Sequence, residues 1–486
     1  MDEKYKKIGT QIGFSYFILG LQMVSSPIIV ALLTRILGAE KYGVYVLFSV
    51  FSSLALWLIQ PGLSQYLVAK LPSYEKRRWP QIFFSLLCFE LILASIIVLI
   101  FYLSPLSSAF LEFNKLGAYS ALFGVVLTIT LLGTLATMLD YYYRAKQSIN
   151  VAGFMEFVRL RGWAFPLIAL FFMFGKFGLM EVFAIWAGIT FFIILTYMWL
   201  LRKELLRFMR SKWLDLEIIK PALAFGIPII PSNIFTVLLI ANDRYILNYY
   251  HSSSVVGIYS VAYSVLGILL SIALSAGQVI LPYFAEAHAK DKKQYKTLLN
   301  ASLKYGLMLV IPGIVGAVAL RSELVTLIAG PKYLAASQVI IVLMLYPVFA
   351  LLMNIGNNSL LVKGETRYVA FQYLIGLVIN FGLNIFLVPR YGMYGAAFSL
   401  VFSYFIMAAM SLYKSTAYKI FNYDFLKMPQ ILLSSLVMGG IISFINPVNI
   451  ATKLGTIGFG AAIYLGLAIA TGVINRKEIE LVKSYF

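Results

Sequence analysis

The chain has 486 residues, of which 61% are hydrophobic and only 12% are charged. A soluble domain carries roughly a quarter of charged residues, so this composition excludes a water-soluble globular protein. Lys and Arg outnumber Asp and Glu by 39 to 20, giving a net charge of +19. That excess reflects either the usual abundance of basic residues on cytoplasmic loops or an anionic partner.

Apolar stretches near 20 residues long recur along the whole chain and predict an all-α polytopic membrane protein with about 14 transmembrane helices. The first stretch is too long for a signal peptide and lacks a small-residue cleavage site, so we expect it to be retained. The predicted helices cover residues 8–33, 43–69, 81–103, 117–140, 151–174, 179–201, 221–247, 257–284, 298–320, 334–360, 368–388, 392–413, 427–445 and 454–474.

The basic residues are distributed unevenly between the two sides of the membrane. About 30 of the 39 fall on the side that holds the N-terminus and about 9 on the other. This asymmetry predicts a protein of the cell membrane with both termini in the cytoplasm. The loops on the outer side are short, so we expect the function to reside in the helices.

A Gly-aromatic pattern recurs in four predicted outer turns. The first two copies are 135 residues apart, as are the last two, and the two pairs are offset by 214 residues. Equal spacing indicates a tandem duplication of six helices, with the two copies related by a pseudo-two-fold axis along the membrane normal. The copies of the pattern are KYGVY at 41–45, KFGLM at 176–180, VVGIY at 255–259 and RYGMY at 390–394.

The duplication predicts an N-lobe over residues 1–212, a C-lobe over 213–425, and two appended C-terminal helices in 426–486. The segment that joins the lobes places Lys203, Arg207 and Arg210 at helical spacing, with Trp213 on another face. We expect an amphipathic helix at the membrane interface there.

Charged residues inside the predicted helices are candidates for function, because a charge is costly in hydrocarbon. Arg35 and Arg244 each end the first helix of a lobe, and they either lie at the outer interface or line a cleft as anion ligands. Asp243 should not neutralise Arg244, because adjacent residues point about 100° apart on a helix.

Two more positions combine charge with membrane depth. Arg159 lies within the fifth predicted helix, with Glu156 one turn earlier as a candidate partner, whereas Arg161 should face another side. Glu90 lies in the middle of the third helix, and the 214-residue offset makes Lys304 its counterpart. These two residues either form an ion pair between helices or leave Glu90 as a proton or sodium site.

The polar uncharged residues suggest structural roles. Asparagines inside the predicted spans should form hydrogen bonds between helices. Cys88 is the single cysteine of the chain, and with only two histidines a structural zinc site is not expected. The asparagines in question are Asn354, Asn357, Asn358, Asn380 and Asn384.

Three long segments resemble the polysaccharide-biosynthesis (Wzx-type) flippases of the multidrug/oligosaccharidyl-lipid/polysaccharide (MOP) exporter superfamily. The resemblance covers nearly the whole chain and is most specific from Asn380 to Ala397. Its carriers are LTRILGAEKYGVYVLF, NDRYILNYY followed by VGIYSVAYSV, and KGETRYVAFQYLIGLVINFGLNIFLVPRYGMYGAAFSLVFSY.

The resemblance implies two six-helix lobes around a cleft and transport by alternating access. The cargo would be a polyprenyl-pyrophosphate-linked oligosaccharide for surface polysaccharide or glycoprotein assembly. The drug-exporting branch usually has twelve helices, so the extra pair favours the lipid-linked sugar branch. The cleft cations would hold the pyrophosphate, because the planar fork of arginine suits phosphate oxygens. These cations would be Arg35, Arg159, Arg161 and Arg244.

We therefore expect a transporter rather than an enzyme, without a bound cofactor. No GxxxxGK[ST] motif occurs, so direct ATP hydrolysis is not expected. The resemblance implies that proton or sodium exchange drives transport, with Glu90 and Asp243 as candidate sites. Expected partners are membrane lipids and other polysaccharide-assembly proteins, but not nucleic acid, and we expect a monomer.

Three alternatives remain open. A cation-coupled exporter of small molecules, of the MATE type, should have a cleft dominated by acids and aromatics. A membrane glycosyltransferase or polymerase would need a large outer loop or clustered acids. A scaffold role within an assembly complex is compatible with the sequence.

Overall fold

The structure, a computed structural model, describes residues 3–175, 177–208, 214–290, 292–417, 427–445, 447 and 449–474. Within this part of the chain the regular structure is helical, with no strand. The predicted all-α fold class is confirmed.

The helices are numbered in chain order over the described residues. A π-helical turn, Val158–Gly162, connects α6 to α7 almost without interruption. The helices are α1 (Glu3–Ile59), α2 (Leu63–Lys70), α3 (Trp79–Leu103), α4 (Leu106–Phe113), α5 (Ser120–Ala145), α6 (Ile149–Phe157), α7 (Ala164–Phe174), α8 (Leu179–Leu200), α9 (Arg202–Phe208), α10 (Leu216–Gly226), α11 (Ile230–Tyr250), α12 (Ser253–Lys290), α13 (Lys292–Ala319), α14 (Arg321–Ile328), α15 (Ala335–Leu343), α16 (Tyr346–Val362), α17 (Thr366–Tyr391), α18 (Met393–Ala417), α19 (Met428–Ser443) and α20 (Ile450–Ala470).

In the described residues, ten segments are long and apolar enough to cross a membrane, so the chain is a multi-pass membrane protein. The first, Phe17–Ile59, contains most of each of the first two predicted helices, joined at a kink where Gly38 has a φ of 72°. Three further predicted helices correspond to helices that are interrupted or shorter in the structure, namely 151–174, 221–247 and 427–445. The total of about 14 transmembrane helices stays a prediction.

The helices pack into two compact units, Met1–Gly257 and Ile258–Phe486. In the first unit α5 is central, since it packs against α1, α2, α3, α6 and α8. The lobe boundaries predicted near residues 212 and 425 lie outside the described residues. So do Arg210 and Trp213 of the predicted interfacial helix, whose beginning forms α9.

Two glycines of the repeated pattern bring helices of the first unit into backbone contact. Gly43 lies inside α1 and Gly257 in the first turns of α12, and a Cβ on Gly43 would lie 1.7 Å from the carbonyl oxygen of Ser253. The prediction that these two glycines form turns is wrong. They permit a close approach of two helices, which a larger residue would block. Gly178 and Gly392 do lie at helix ends.

In the second unit α18 packs against α15, α16 and α17, and polar side chains lie along these contacts. Ser411 of α18 donates from Oγ to Asn357 Oδ1 of α16 at 3.0 Å. Gln372 of α17 donates from Nε2 to the carbonyl oxygen of Met407. The predicted hydrogen bonding between helices is thus confirmed for Asn357.

Four other asparagines form two pairs, each within one helix. Asn384 donates to Asn380 Oδ1 at 3.2 Å on α17, and Asn358 donates to Asn354 Oδ1 at 3.3 Å on α16. Residues four apart lie on one face of a helix, so each pair satisfies part of its polar atoms locally. The C-terminal helices α19 and α20 pack against α13.

Candidate functional site

A buried ion pair joins α5 to the π-helical turn in the first unit. Arg159 Nη2 lies 2.8 Å from Asp140 Oδ2, and Tyr197 of α8 donates its hydroxyl to Asp140 Oδ1 at 2.7 Å. The side chains of Arg159 and Asp140 are only 8% and 2% exposed. Each carboxylate oxygen therefore has a partner, which makes a charge tolerable at this depth.

A second ion pair connects the same two helical segments one turn away. Arg144 Nη2 lies 2.5 Å from Glu156 Oε2, and these side chains are 37% and 27% exposed. Asp140 and Arg144 are one turn apart on α5, and Arg159 and Glu156 are one turn apart on the facing segment. The two pairs therefore form a ladder between antiparallel helices.

The predicted pairing of Glu156 with Arg159 is wrong. Arg159 points toward α5, where Asp140 is buried and needs a positive partner. Glu156 lies nearer to the surface and binds Arg144 instead. A partner on a neighbouring helix thus replaces the partner on the same helix.

Sequence reasoning missed Asp140 and Tyr197. A signal for Asp140 was present, because it is the only charged residue in the predicted helix 117–140, and such residues are functional candidates by default. Tyr197 is one of 32 tyrosines and carries no comparable signal.

A third cluster lies at the end of α5. Lys146 Nζ lies 2.5 Å from Glu204 Oε1 of α9, and Tyr142 donates its hydroxyl to Glu204 Oε2 at 2.5 Å. The Lys146 ammonium also lies 5.2 Å from the centre of the Tyr142 ring. This cluster ties α9 to α5.

Arg161 lies on the same π-helical turn as Arg159 and faces a different helix, as the spacing predicts. Its side chain is half-buried, and it makes no hydrogen bond or ion pair within the described residues. Tyr45 of α1 lies close enough to interact with it electrostatically. Arg161 is twelve residues from the start of α6 at Ile149, or roughly 18 Å along the helical path, which is more than half of the roughly 30 Å hydrocarbon thickness of a bilayer.

Aromatic rings surround the region of Tyr45. The Tyr45 ring lies 6.3 Å from Trp163 and 5.4 Å from Phe183, measured between centroids. Trp186 stacks on Trp163 at 6.0 Å. Arg161 therefore lies beside an aromatic cluster of α1, the π turn and α8.

Arg244 and Asp243 are both buried near the end of α11. Arg244 Nη1 donates to the carbonyl oxygen of Ile240 at 2.5 Å and lies 3.1 Å from Asp243 Oδ1. The prediction that Asp243 does not neutralise Arg244 is wrong. The angle between the two Cα–Cβ bonds describes only where the side chains start, and the long arginine folds back toward the preceding turn.

The remaining predicted residues lie apart from this ladder. Arg35 is exposed on α1, and its Nη1 approaches the carbonyl oxygen of Ala31 at 3.4 Å. Glu90 is buried in α3 of the first unit. Lys304 lies on α13 of the second unit, with its Nζ 5.4 Å from the centre of the Tyr305 ring. The pairing of Glu90 with Lys304 stays a prediction.

Residues 32–338 match the family described as polysaccharide biosynthesis protein, a match over more than half of the chain. The chain belongs to this family. The membership confirms the resemblance that the sequence segments indicated.

This chain is similar to an uncharacterized membrane protein of Methanocaldococcus jannaschii, with 27% identity over 277 residues, which cover 54% of this chain and 52% of that protein. It is also similar to a protein of Haloferax volcanii named as a probable low-salt glycan biosynthesis flippase, with 22% identity over 240 residues and 49% of each chain covered. The chain thus spans about half the length of these curated relatives.

Solved structures share its fold. The lipid II flippase MurJ, in an inward closed conformation, aligns with a TM-score of 0.77 and 16% identity over 94% of this chain and 98% of that one. An inward-facing MATE multidrug resistance transporter of the MOP superfamily aligns with a TM-score of 0.64 and 15% identity, over 83% and 95% of the two chains. At these identities the likeness shows the fold, and the predicted MOP fold is confirmed.

Proposed function

We propose that this polysaccharide biosynthesis protein is a flippase. It carries polyprenyl-pyrophosphate-linked oligosaccharide across the cell membrane by alternating access, with both termini in the cytoplasm. Family membership and the MOP fold support a transporter of this class. The environment of Arg161 is the observation that supports a pyrophosphate-linked cargo.

Arg161 is a cation at membrane depth without an anion from its own chain in the described residues. Arginine stays protonated in proteins, so it cannot escape the cost of burial by losing its charge. Arg159 and Arg244 have Asp140 and Asp243 as partners. Arg161 therefore suits an anionic ligand that comes from outside the protein.

A pyrophosphate supplies such an anion. Its oxygens match the planar donor fork of a guanidinium, and charge-assisted hydrogen bonds of this kind are among the strongest in proteins. The headgroup cannot cross roughly 30 Å of hydrocarbon unaided, because its polar groups would lose their hydrogen bonds to water. A fixed cation that binds the pyrophosphate lowers that barrier, while the polyprenyl chain stays in the lipid.

The four predicted cations then have different roles. Arg161 binds the pyrophosphate, and the exposed Arg35 offers a second positive contact. Arg159 and Arg244 act as positioning residues, because each already has a carboxylate partner: Arg159 holds the π turn that presents Arg161, and Arg244 braces the end of α11.

The test is reconstitution of the full chain in liposomes with a fluorescent polyprenyl-pyrophosphate-linked oligosaccharide, scored by arrival of the sugar in the opposite leaflet. Arg161→Gln should slow movement about 10- to 100-fold, because one charge-assisted hydrogen bond contributes about 1.5–3 kcal/mol. Arg161→Lys keeps the charge but loses the fork, and should fall between that variant and the unchanged chain.

Arg144→Gln is the matched control, since it removes the same charge from a surface ion pair. Equal rates for Arg161→Gln, Arg144→Gln and the unchanged chain would show that Arg161 does not bind the cargo. If no variant moved the lipid-linked sugar but the unchanged chain moved a cationic dye, the exporter alternative would replace the flippase.

A further inference from the structure

Among the described residues of the first unit, three carboxylates are buried, and one of them has no basic partner among these residues. Asp140 has Arg159 and Asp243 has Arg244. Glu90 is 1% exposed, and neither of its carboxylate oxygens makes a hydrogen bond of normal geometry within the described residues. The proposed mechanism above does not use this group.

Glu90 faces the protein core rather than lipid. Leu86, Leu87 and Ala94 lie within one turn of it on the same side of α3, and all three are buried. Leu86 and Leu87 belong to a buried cluster that also contains residues of α2 and α5. The carboxylate thus lies among packed helices, where hydrocarbon replaces water.

A break in the helical path lies beside this carboxylate. The helix α1 ends at Ile59, and α2 starts after Gln60, Pro61 and Gly62, where Gly62 has a φ of 73°. Gly226 of α10 packs on the break so closely that a Cβ there would lie 1.8 Å from the Pro61 carbonyl oxygen. The break is therefore a built feature of the unit.

Gln60 is the polar residue that the break presents to Glu90. It is buried, and its Nε2 donates to the carbonyl oxygen of Thr134 at 3.3 Å. The hydroxyls of Thr130 and Thr134 donate to carbonyl oxygens of their own helix.

Several charged and titratable groups on the surrounding helices have partners of their own. Within the described residues, no charged side chain lies close enough to Glu90 to affect its ionisation. Asp140 on α5 binds Arg159, Tyr142 on α5 binds Glu204 of α9, Tyr66 on α2 bonds Tyr74, and Asp215 before α10 accepts from Gln81.

An ionised carboxylate in such a place would lack both water and a counter-charge, which is a severe cost. We propose that Glu90 is a proton-binding site of the first unit: it holds an exchangeable proton in this conformation. The proton comes from bulk water and returns there when rearrangement at the Gln60–Gly62 break admits water. Proton binding is independent of the cargo, and only its use to drive transport rests on the proposed function.

The test is infrared spectroscopy of the full chain in lipid nanodiscs, since a protonated carboxyl has its own C=O stretching band that shifts in heavy water. At neutral pH the unchanged chain should show this band, and Glu90→Gln should lose it. Glu112→Gln, at an exposed glutamate of α4, is the matched control and should keep it. Glu90→Asp keeps a carboxyl and should retain the band at a shifted position, which guards against misfolding of the Gln variant.

Absence of the band at neutral pH in the unchanged chain, or its persistence in folded Glu90→Gln, would overturn the proposal. The ion pair with Lys304 would then be the better account. A band that weakens when sodium replaces potassium would also overturn it, in favour of a sodium site. If the band behaves as expected but no lipid-linked sugar moves, the proton site stands and the proposed function fails.

Discussion

Removing the acid of the buried ion pair, Arg159–Asp140, should destabilise the protein far more than removing the acid of the partly exposed pair, Arg144–Glu156. Asp140→Asn and Glu156→Gln each replace a carboxylate by an amide of nearly the same shape. The amide oxygen of Asn can still accept the hydroxyl hydrogen bond of Tyr197, but its amide nitrogen then faces the Arg159 guanidinium, so the change removes both the charge and the acceptor that Arg159 uses. The comparison isolates burial, because the two pairs join the same helical segments.

The burial of the two pairs sets the magnitudes. Arg159 and Asp140 are 8% and 2% exposed, so Asp140→Asn leaves an uncompensated buried guanidinium and should cost about 3–5 kcal/mol of unfolding free energy. Arg144 and Glu156 are 37% and 27% exposed. Water can solvate the charge that remains there, so Glu156→Gln should cost about 0–1 kcal/mol.

Denaturant titration of the purified protein in detergent, followed by tryptophan fluorescence, measures both effects. The double variant Asp140→Asn/Arg159→Met removes the stranded charge and should recover a large part of the loss. Similar costs for Asp140→Asn and Glu156→Gln would refute the burial argument. A double variant no more stable than Asp140→Asn would show that the hydrogen-bond network, not the unpaired charge, dominates.

Two further substitutions, one in each unit, test helix packing by the same denaturant titration. Gly43→Ala should cost about 1–3 kcal/mol, because its Cβ would meet backbone 1.7 Å away. Gly124→Ala is the control, because a Cβ at this position has open space around it, and it should change stability by less than about 1 kcal/mol. Equal costs for Gly43→Ala and Gly124→Ala would mean that α1 and α12 can move apart without loss of stability. Ser411→Ala removes the hydrogen bond to Asn357 and should cost about 1 kcal/mol of unfolding free energy. Amide hydrogen exchange in α16 and α18 should become faster. Unchanged exchange would contradict a role of this hydrogen bond in holding the two helices together.

The sequence alone determined the class of protein, because hydropathy is a local property. Windows of apolar residues reveal membrane helices wherever they occur, since every such window must satisfy its backbone within the helix. The family could also be predicted, because its signal lies in contiguous segments such as Asn380–Ala397. The opposite faces of Arg159 and Arg161 followed from helical geometry.

Only the tertiary structure decided which charges meet. Arg159 binds Asp140 across two helices rather than Glu156 along one, and Gly43 approaches Gly257 from 214 positions away in the chain. Such contacts depend on how each helix is rotated and how closely it packs on its neighbours. The spacing of residues along a single helix contains no information about either. The same limit applies to Arg161, because its lack of an ion-pair partner within the described residues depends on where the neighbouring helices place their charges.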